Sequence, residues 1–257
     1  MALLLRCCLL LLCWWGLTGP ARAADLQAWV GRYPDWRSPA PLAPVTRESD
    51  LVYPDWFAGH WRVTSTLTEM VAPLAPELVS PGFEGNRTLL EQPVTFEVRF
   101  GAQAQPLAPT GTLLALPPTL SRQVVGDRAF NGAAIARAYL GDAVQTVEAN
   151  PTTPNEQLTR LRDGRELLAV VTARRTEQPD GQHFLAAERS QQFFRGANAP
   201  LLNIVETTSD YRHEADGQIT ADQFTAIYLS PQDPDWFRAG RRPVALYRYR
   251  LELRPLD

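Results

Sequence analysis

The sequence predicts a mainly β protein, an antiparallel β-barrel of about eight to nine strands with one short helix. Alternating runs of apolar and polar residues recur along most of the chain, which is typical of half-buried strands. Turn signals such as Asp163-Gly164 and Asp216-Gly217 separate several of these runs and are compatible with hairpins. One Ala-rich segment, residues 127–141, instead has the ends of a helix.

The first residues have the pattern of a secretory signal peptide. Arg6 precedes an apolar run from Cys7 to Leu17, and Ala21-Arg22-Ala23 predicts cleavage before Ala24. The run is shorter than the roughly 20 residues that cross a bilayer, so a cleaved leader over residues 1–23 is favoured over an uncleaved anchor. We expect no transmembrane helix after cleavage. All 3 cysteines lie in this leader, which leaves the mature chain without disulfides or thiolate chemistry.

Residues 24–57 are rich in Pro, Trp and Asp and predict an extended N-terminal arm before a β-barrel domain over residues 58–257. The tripeptide Pro-Asp-Trp occurs at 34–36, 54–56 and 234–236. We interpret each copy as a turn whose tryptophan packs against the barrel rim.

Within the barrel domain the alternation places strands, and proline-rich segments place loops. The loops are residues 72–81 and 106–118. The strands lie near residues 60–70, 93–100, 143–149, 157–162, 166–175, 183–194, 201–212, 218–229 and 243–254.

The first and last strands have distinct apolar faces, which predict the side that faces the core. In the first strand the inward residues are Trp61, Val63, Ser65 and Leu67. In the last strand the apolar face holds Ala245, Tyr247, Tyr249, Leu251 and Leu253.

The predicted helix begins with a capping residue, Asp127, and ends at Gly141. Its length of about three turns would let it plug or cover one mouth of a barrel. Gly132 is an unfavourable residue in its interior.

The start of the first strand, Gly59-His60-Trp61, resembles the Gly-x-Trp signature of lipocalins. The resemblance implies a lipocalin-like barrel in which Trp61 closes one end and an arginine of the last strand, Arg248 or Arg250, covers it. Such a cation–π contact contributes about 0.5–2 kcal/mol. Alternation points both arginines away from the apolar face unless a bulge shifts the register. The alternative is that Trp61 is only a core aromatic residue.

A barrel interior that mixes aromatic and polar groups is typical of a ligand pocket. Polar side chains recur on predicted inner faces, although the same positions would face solvent if that side of the sheet were wet. The candidate ligand-binding residues are Trp61, Arg128, Asn131, Tyr139, Glu188, Thr207, Tyr247 and Tyr249.

Composition excludes several classes of function. The formal net charge is −3, and a nucleic-acid-binding protein needs a positive footprint. The 3 histidines are isolated in sequence, so we predict no metal site. No nucleophile elbow, P-loop or dinucleotide fingerprint occurs, so we predict no catalytic residue and no cofactor.

Long motifs carry a resemblance to a known family over roughly residues 50–255. They are Tyr53–Gly59, Asp127–Gly141, Phe193–Gly196, Val205–Thr208, Ala226–Asp235 and Val244–Leu253. The chain resembles an uncharacterised domain-of-unknown-function family of cyanobacteria and, with plastid targeting, of algae and plants. The resemblance implies an oxygenic phototroph and, with the leader, export to the thylakoid lumen or periplasm. It implies no activity.

Three hypotheses for function follow. The first is a non-catalytic binding protein for a small apolar or amphipathic ligand, such as a pigment, a quinone or a lipid. The second is a lumenal assembly or interaction factor for photosynthetic membrane-protein complexes, which requires an exposed patch of Trp29, Trp36, Trp56 and Trp236. The third is a lumenal enzyme, which requires titratable groups gathered in one cleft, for example Glu188 or Glu206 with Arg128.

Overall fold

A curled antiparallel sheet dominates the computed structural model, which describes residues 25–106, 120–196 and 201–256. The sheet has 12 strands and forms a half-barrel, which confirms the predicted mainly β fold class. The predicted leader and nearly all of the predicted loop at 106–118 lie outside the described residues.

Nine of the strands agree closely with the predicted ones, and three others add to them. The strands are β1 Ala43–Pro44, β2 Val52–Tyr53, β3 Gly59–Val71, β4 Pro93–Pro106, β5 Leu120–Gly126, β6 Val144–Ala149, β7 Glu156–Leu161, β8 Glu166–Asp180, β9 His183–Arg195, β10 Leu201–His213, β11 Ile219–Leu229 and β12 Ala245–Pro255. The sheet is therefore larger than eight to nine strands, because β1, β2 and β5 were not expected.

Three α-helices and three 3₁₀ turns complete the described part of the chain. The helices are α1 Leu26–Val30, α2 Arg128–Leu140 and α3 Trp236–Ala239, and the 3₁₀ turns are Asp55–Phe57, Glu84–Leu89 and Gly141–Ala143.

The strand order leaves a gap that a helix spans. The order is β2-β5-β4-β3-β12-β11-β10-β9-β8-β7-β6, and β1 pairs with β8 outside this path. Within the described ranges the end strands β2 and β6 do not pair with each other. Helix α2 contacts β4 on one side of the gap and β6 and β7 on the other. The half-barrel is thus completed by a helix and not by a ladder of hydrogen bonds.

Helix α2 begins and ends as the sequence predicts. The Asp127 side chain accepts a hydrogen bond from the Phe130 N–H at 3.0 Å, which satisfies one of the free donors of the first turn. Gly141 follows the last turn with φ 58°, a left-handed conformation that glycine adopts at little cost. The predicted helix over 127–141 is confirmed to within one residue at each end.

The inward face of β3 is also as predicted, since Trp61, Val63, Ser65 and Leu67 are all buried. One irregularity follows them. Arg248 of β12 pairs with Glu69, whereas Tyr249 pairs with Leu67. Thr68 is therefore the extra residue of a bulge in β3, which increases the local twist of the sheet.

The N-terminal arm folds back over the outer face of the sheet. Trp29 and Trp36 stack with their ring centroids 4.9 Å apart, and both are buried against Phe224 and Leu246. Helix α1 and the short strand β1 belong to this arm, which is therefore not extended throughout. The outer face of β10–β12 is covered by the chain itself, and the inner face is left to form the site.

Candidate functional site

The inner face of the sheet and helix α2 line a half-open cavity of about 830 Å³. This volume lies within the roughly 300–1,000 Å³ of small-molecule sites. The helix presents one face to the cavity, because its lining residues recur with helical spacing. They are Arg128, Asn131, Gly132, Ile135, Ala136, Tyr139 and Leu140.

The cavity wall divides into an apolar and a polar part. The apolar part comes largely from β3, β4 and β12 and includes Val63, Phe96, Val98, Leu251 and Leu253. The polar part comes from β7 and β9–β11 and includes Gln157, Glu188, Gln192, Thr207, Ser209 and Gln223. A cavity with one apolar wall and one hydrogen-bonding wall suits an amphipathic molecule.

An aromatic cluster forms one end wall of the cavity. Phe57 is fully buried and its ring lies 4.7 Å from Tyr53 and 5.0 Å from both Phe100 and Tyr211. Tyr53, Phe100 and Tyr211 face the cavity, whereas Phe57 and Phe184 lie behind them. We call these five residues the aromatic plug.

Gly59 and Trp61 lie on the far side of the aromatic plug. Gly59 has φ 136°, which only glycine adopts readily and which turns the chain from the 3₁₀ turn into β3. The Trp61 Nε1 donates to the Phe57 carbonyl at 2.8 Å. Gly59 and Trp61 therefore hold the plug in place.

The arginines expected to cover Trp61 are elsewhere. Trp61 pairs with Pro255, whereas Arg250 pairs with Thr66, five residues further along β3 and roughly 17 Å away. Arg250 is exposed. Arg248 lies on the outer face, 5.5 Å from the Phe224 ring, and donates to Asp222 at 3.1 Å. The bulge lies in β3 and leaves the alternation of β12 unchanged, so these arginines stay outside.

A buried charge network lies beside the polar wall. Arg128 donates to Asp50 at 2.6 and 2.8 Å and to Glu188 at 3.2 Å. Arg174 donates to the same Glu188 at 2.8 Å and to Asn155 at 2.9 Å. Only 9% of the Arg174 side chain and 7% of the Asp50 side chain are exposed. Each buried charge is thus paired, as its desolvation requires.

The network controls the protonation of Glu188. Burial alone would raise the pKa of this carboxyl, but the positive charges of Arg128 and Arg174 and their hydrogen bonds outweigh burial and hold its pKa below the usual range. Burial raises the pKa of the Tyr53 and Tyr211 hydroxyls above the usual range. At neutral pH the carboxyl is therefore ionised and both phenols are neutral.

The structure brings five of the eight candidate ligand-binding residues to the cavity. These five are Arg128, Asn131, Tyr139, Glu188 and Thr207. The other three do not line it. Trp61 lies behind the aromatic plug, Tyr249 packs between two apolar clusters, and Tyr247 packs on Phe83 with its hydroxyl accepting from Asn86 at 3.1 Å.

Sequence reasoning missed the partners of these residues. Asp50 comes from the N-terminal arm and is far in sequence from both residues, whereas Arg174 comes from β8 and lies directly opposite Glu188 in the β8–β9 hairpin. The hydrogen bonds from Arg128 span 78 positions to Asp50 and 60 positions to Glu188. Polarity on a predicted inner face marked Glu188, and the hairpin that joins β8 to β9 was the signal that could have placed Arg174 opposite it.

Neither Glu188 nor the serines that line the cavity have the surroundings of a general base or an activated nucleophile. A general base works best with a pKa near the operating pH, whereas the pKa of Glu188 is lowered. Ser65 bonds to the Tyr139 hydroxyl at 3.0 Å and Ser209 to Gln223 at 3.3 Å, so neither serine is paired with a base. Glu206, the other acid considered for an enzyme, lies on the outer face against Arg189.

Two further features are absent from the described residues. No group of three or more histidine, cysteine or acidic residues converges on a position where it could hold a metal ion. No helix among residues 25–106, 120–196 and 201–256 has both the length and the apolar character needed to cross a membrane.

The tryptophans required for an interaction surface do not form one. Trp29 and Trp36 are each 3% exposed. Trp56 and Trp236 are half-buried, and Trp56 stacks on Phe57 at 4.4 Å. An exposed patch of the four residues is therefore absent.

Comparison with known proteins identifies the family. The chain belongs to the family described as Domain of unknown function (DUF6816), whose model matches residues 46–257. Neither the curated proteins nor the solved structures include a match to this chain. The matched range begins before Asp50 and so contains the whole charge network.

Proposed function

We propose that this member of the DUF6816 family is an exported binding protein that holds a small apolar or amphipathic ligand, such as a pigment, a quinone or a lipid, in the cavity between the sheet and α2. The observation that carries the proposal is the cavity of about 830 Å³ with its divided wall. A core that served stability alone would be filled by side chains at close-packed density.

The leader pattern over residues 1–23 supports the export part of the proposal. Under this proposal the ligand is bound in the thylakoid lumen or periplasm, an expectation supported by the leader pattern together with the resemblance to proteins of oxygenic phototrophs. The hypothesis of an interaction factor has no comparable support, because Trp29 and Trp36 of the arm are buried against the outer face of the sheet.

Native mass spectrometry and organic extraction of the chain, purified from a phototrophic host, test the proposal. We expect one small molecule bound in a fixed ratio. The substitution Thr207→Trp places an indole in the cavity, since Thr207 lines it, and it should abolish this extra mass.

The matched control is Thr95→Trp, because Thr95 is an exposed threonine on β4. This variant should keep the bound molecule. A clean protein mass in the unsubstituted chain would contradict the proposal, as would equal retention in both variants.

A further inference from the structure

Two atoms of the charge network are open to the cavity. Arg128 donates through Nε and Nη2, and its Nη1 has no hydrogen-bond partner among the described residues. Glu188 accepts from both arginines at Oε1, and its Oε2 has no partner in the same ranges. Both side chains line the cavity and each is 23% exposed. One donor group and one acceptor are thus available side by side.

The other side chains of the network, those of Asp50, Asn155 and Arg174, are not among the residues that line the cavity. Arg174 uses Nε on Glu188, Nη1 on the Ser49 carbonyl and Nη2 on Asn155. Asp50 is nearly buried and its Oδ1 already accepts from Arg128 and from the Leu51 N–H. A ligand in the cavity therefore meets the open pair and not the whole network.

The charges of the network balance, and this limits what binds to it. Asp50 and Glu188 offset Arg128 and Arg174 one for one. A carboxylate placed at Nη1 of Arg128 would also face the ionised Glu188. An ammonium placed at Oε2 of Glu188 would face both arginines. Either ion would be buried beside a like charge, which costs affinity.

The surroundings add hydrogen-bonding groups without adding charge. The raised pKa values of Tyr53 and Tyr211 keep both hydroxyls protonated, and Thr207 and Ser209 are neutral neighbours on the same wall. The apolar wall opposite is available for a hydrocarbon tail or ring.

From these observations we infer that the bound molecule is an amphiphile whose polar group is uncharged and both donates and accepts hydrogen bonds, as a hydroxyl or a primary carboxamide does. The polar group lies at Nη1 of Arg128 and Oε2 of Glu188. This inference rests on the proposed binding function and names the chemical class of its ligand.

The test uses three probes that differ only in the head group: dodecanamide, dodecanoate and dodecylamine. Calorimetric titration of the purified full chain at neutral pH measures each dissociation constant. We expect dodecanamide to bind at least about tenfold more tightly than either ion, a factor equivalent to about 1.4 kcal/mol.

The substitution Glu188→Gln tests whether the order of the dissociation constants depends on this site. It removes one negative charge and leaves Arg128 and Arg174 in excess, so dodecanoate should gain about tenfold relative to dodecanamide. The matched control is Glu252→Gln, which removes the same charge from the outward face of β12, where the side chain is 46% exposed. The control should leave the order of the probes unchanged.

The outcomes separate this inference from the proposed function. If dodecanoate or dodecylamine binds most tightly to the unsubstituted chain, the inference is wrong and the binding function stands. If none of the three binds, the inference is wrong, and the mass of the chain purified from a phototrophic host decides the binding function separately. The comparison of probes on the unsubstituted chain decides the matter even if the Glu188→Gln variant does not fold.

Discussion

The side-chain amide of Asn131 pairs with both backbone groups of Arg99. Its Oδ1 accepts from the Arg99 N–H at 2.7 Å and its Nδ2 donates to the Arg99 carbonyl at 3.0 Å. Strand β5 ends at Gly126, opposite Phe100, and the N–H of the next residue, Asp127, also donates to the Arg99 carbonyl at 2.9 Å. The Asn131 amide adds two hydrogen bonds at the end of the ladder and fixes α2 to the sheet.

The first prediction concerns this contact. Asn131→Ala removes two hydrogen bonds and should lower the free energy of unfolding by about 1–2 kcal/mol. Urea denaturation measures the loss. Arg137→Ala, at an exposed position of the same helix, should change stability by less than about 0.5 kcal/mol. Equal losses in both variants would show that the Arg99 contact does not anchor α2.

Most of the architecture could be predicted from local patterns. Alternation identified the inward residues of β3, and the capping Asp127 and terminal Gly141 identified α2. Strand β5 was missed because Val124 and Val125 are consecutive and both buried, which hides the alternation. The strands β1 and β2 have only two residues each, too few for any period.

The candidate site could be predicted only in part. Glu188 was found because a polar residue stood out on an expected inner face, and Arg128 because it lies on the helix expected to cover the barrel. Asp50 was missed because its position depends on the path of the arm. Arg174 lies opposite Glu188 in the β8–β9 hairpin, but the two register shifts of that hairpin hide the pairing from simple alternation. Tyr247 shares a face with Leu251, yet the segment that carries Phe83 covers that end of the sheet.

The second prediction concerns Glu206, a fully buried acid under the arm that accepts from the Ala40 N–H at 3.0 Å and from Arg189 at 2.7 Å. Burial raises its pKa, and the two donors only partly offset this. The folded chain then keeps the proton to higher pH than the unfolded chain. The contribution of Glu206 to stability is present below the ordinary glutamate pKa of about 4.3. It is lost as the pH rises through the pKa that Glu206 has in the folded chain.

Glu206→Gln cannot titrate at this position. The free energy of unfolding of the unsubstituted chain, minus that of the variant, should therefore fall as pH rises from about 4 toward neutrality. Urea denaturation of both proteins across this range gives the difference. A difference that rises with pH would contradict the prediction.

The third prediction has the opposite sign and concerns Glu188. Its pKa is lowered because Arg128 and Arg174 outweigh burial. The stability that it contributes is present above the ordinary glutamate pKa of about 4.3 and is lost as pH falls through the folded value. The free energy of unfolding of the unsubstituted chain, minus that of Glu188→Gln, should therefore decrease as the pH falls. The corresponding difference for Glu206→Gln should increase as the pH falls. Parallel slopes for the two variants would show that one of these environments is misassigned.

The last prediction concerns the close approach of α2 to β7. A Cβ on Gly132 would lie 2.7 Å from Nε2 of Gln157, so this glycine makes room for a side chain that lines the cavity. In a helix interior alanine is favoured over glycine by about 1 kcal/mol. Gly132→Ala should therefore stabilise the protein by that amount only if the Gln157 side chain does not obstruct the new methyl group.

A double-mutant cycle isolates the effect. In the Gln157→Ala background, Gly132→Ala should raise the free energy of unfolding by about 0.5–1 kcal/mol. In the unsubstituted background the gain should be smaller or negative, because the Gln157 amide must move aside. The coupling free energy between Gly132→Ala and Gln157→Ala should exceed about 0.5 kcal/mol. If Gly132→Ala has the same effect in both backgrounds, Gln157 does not restrict this position and the helix lies further from β7.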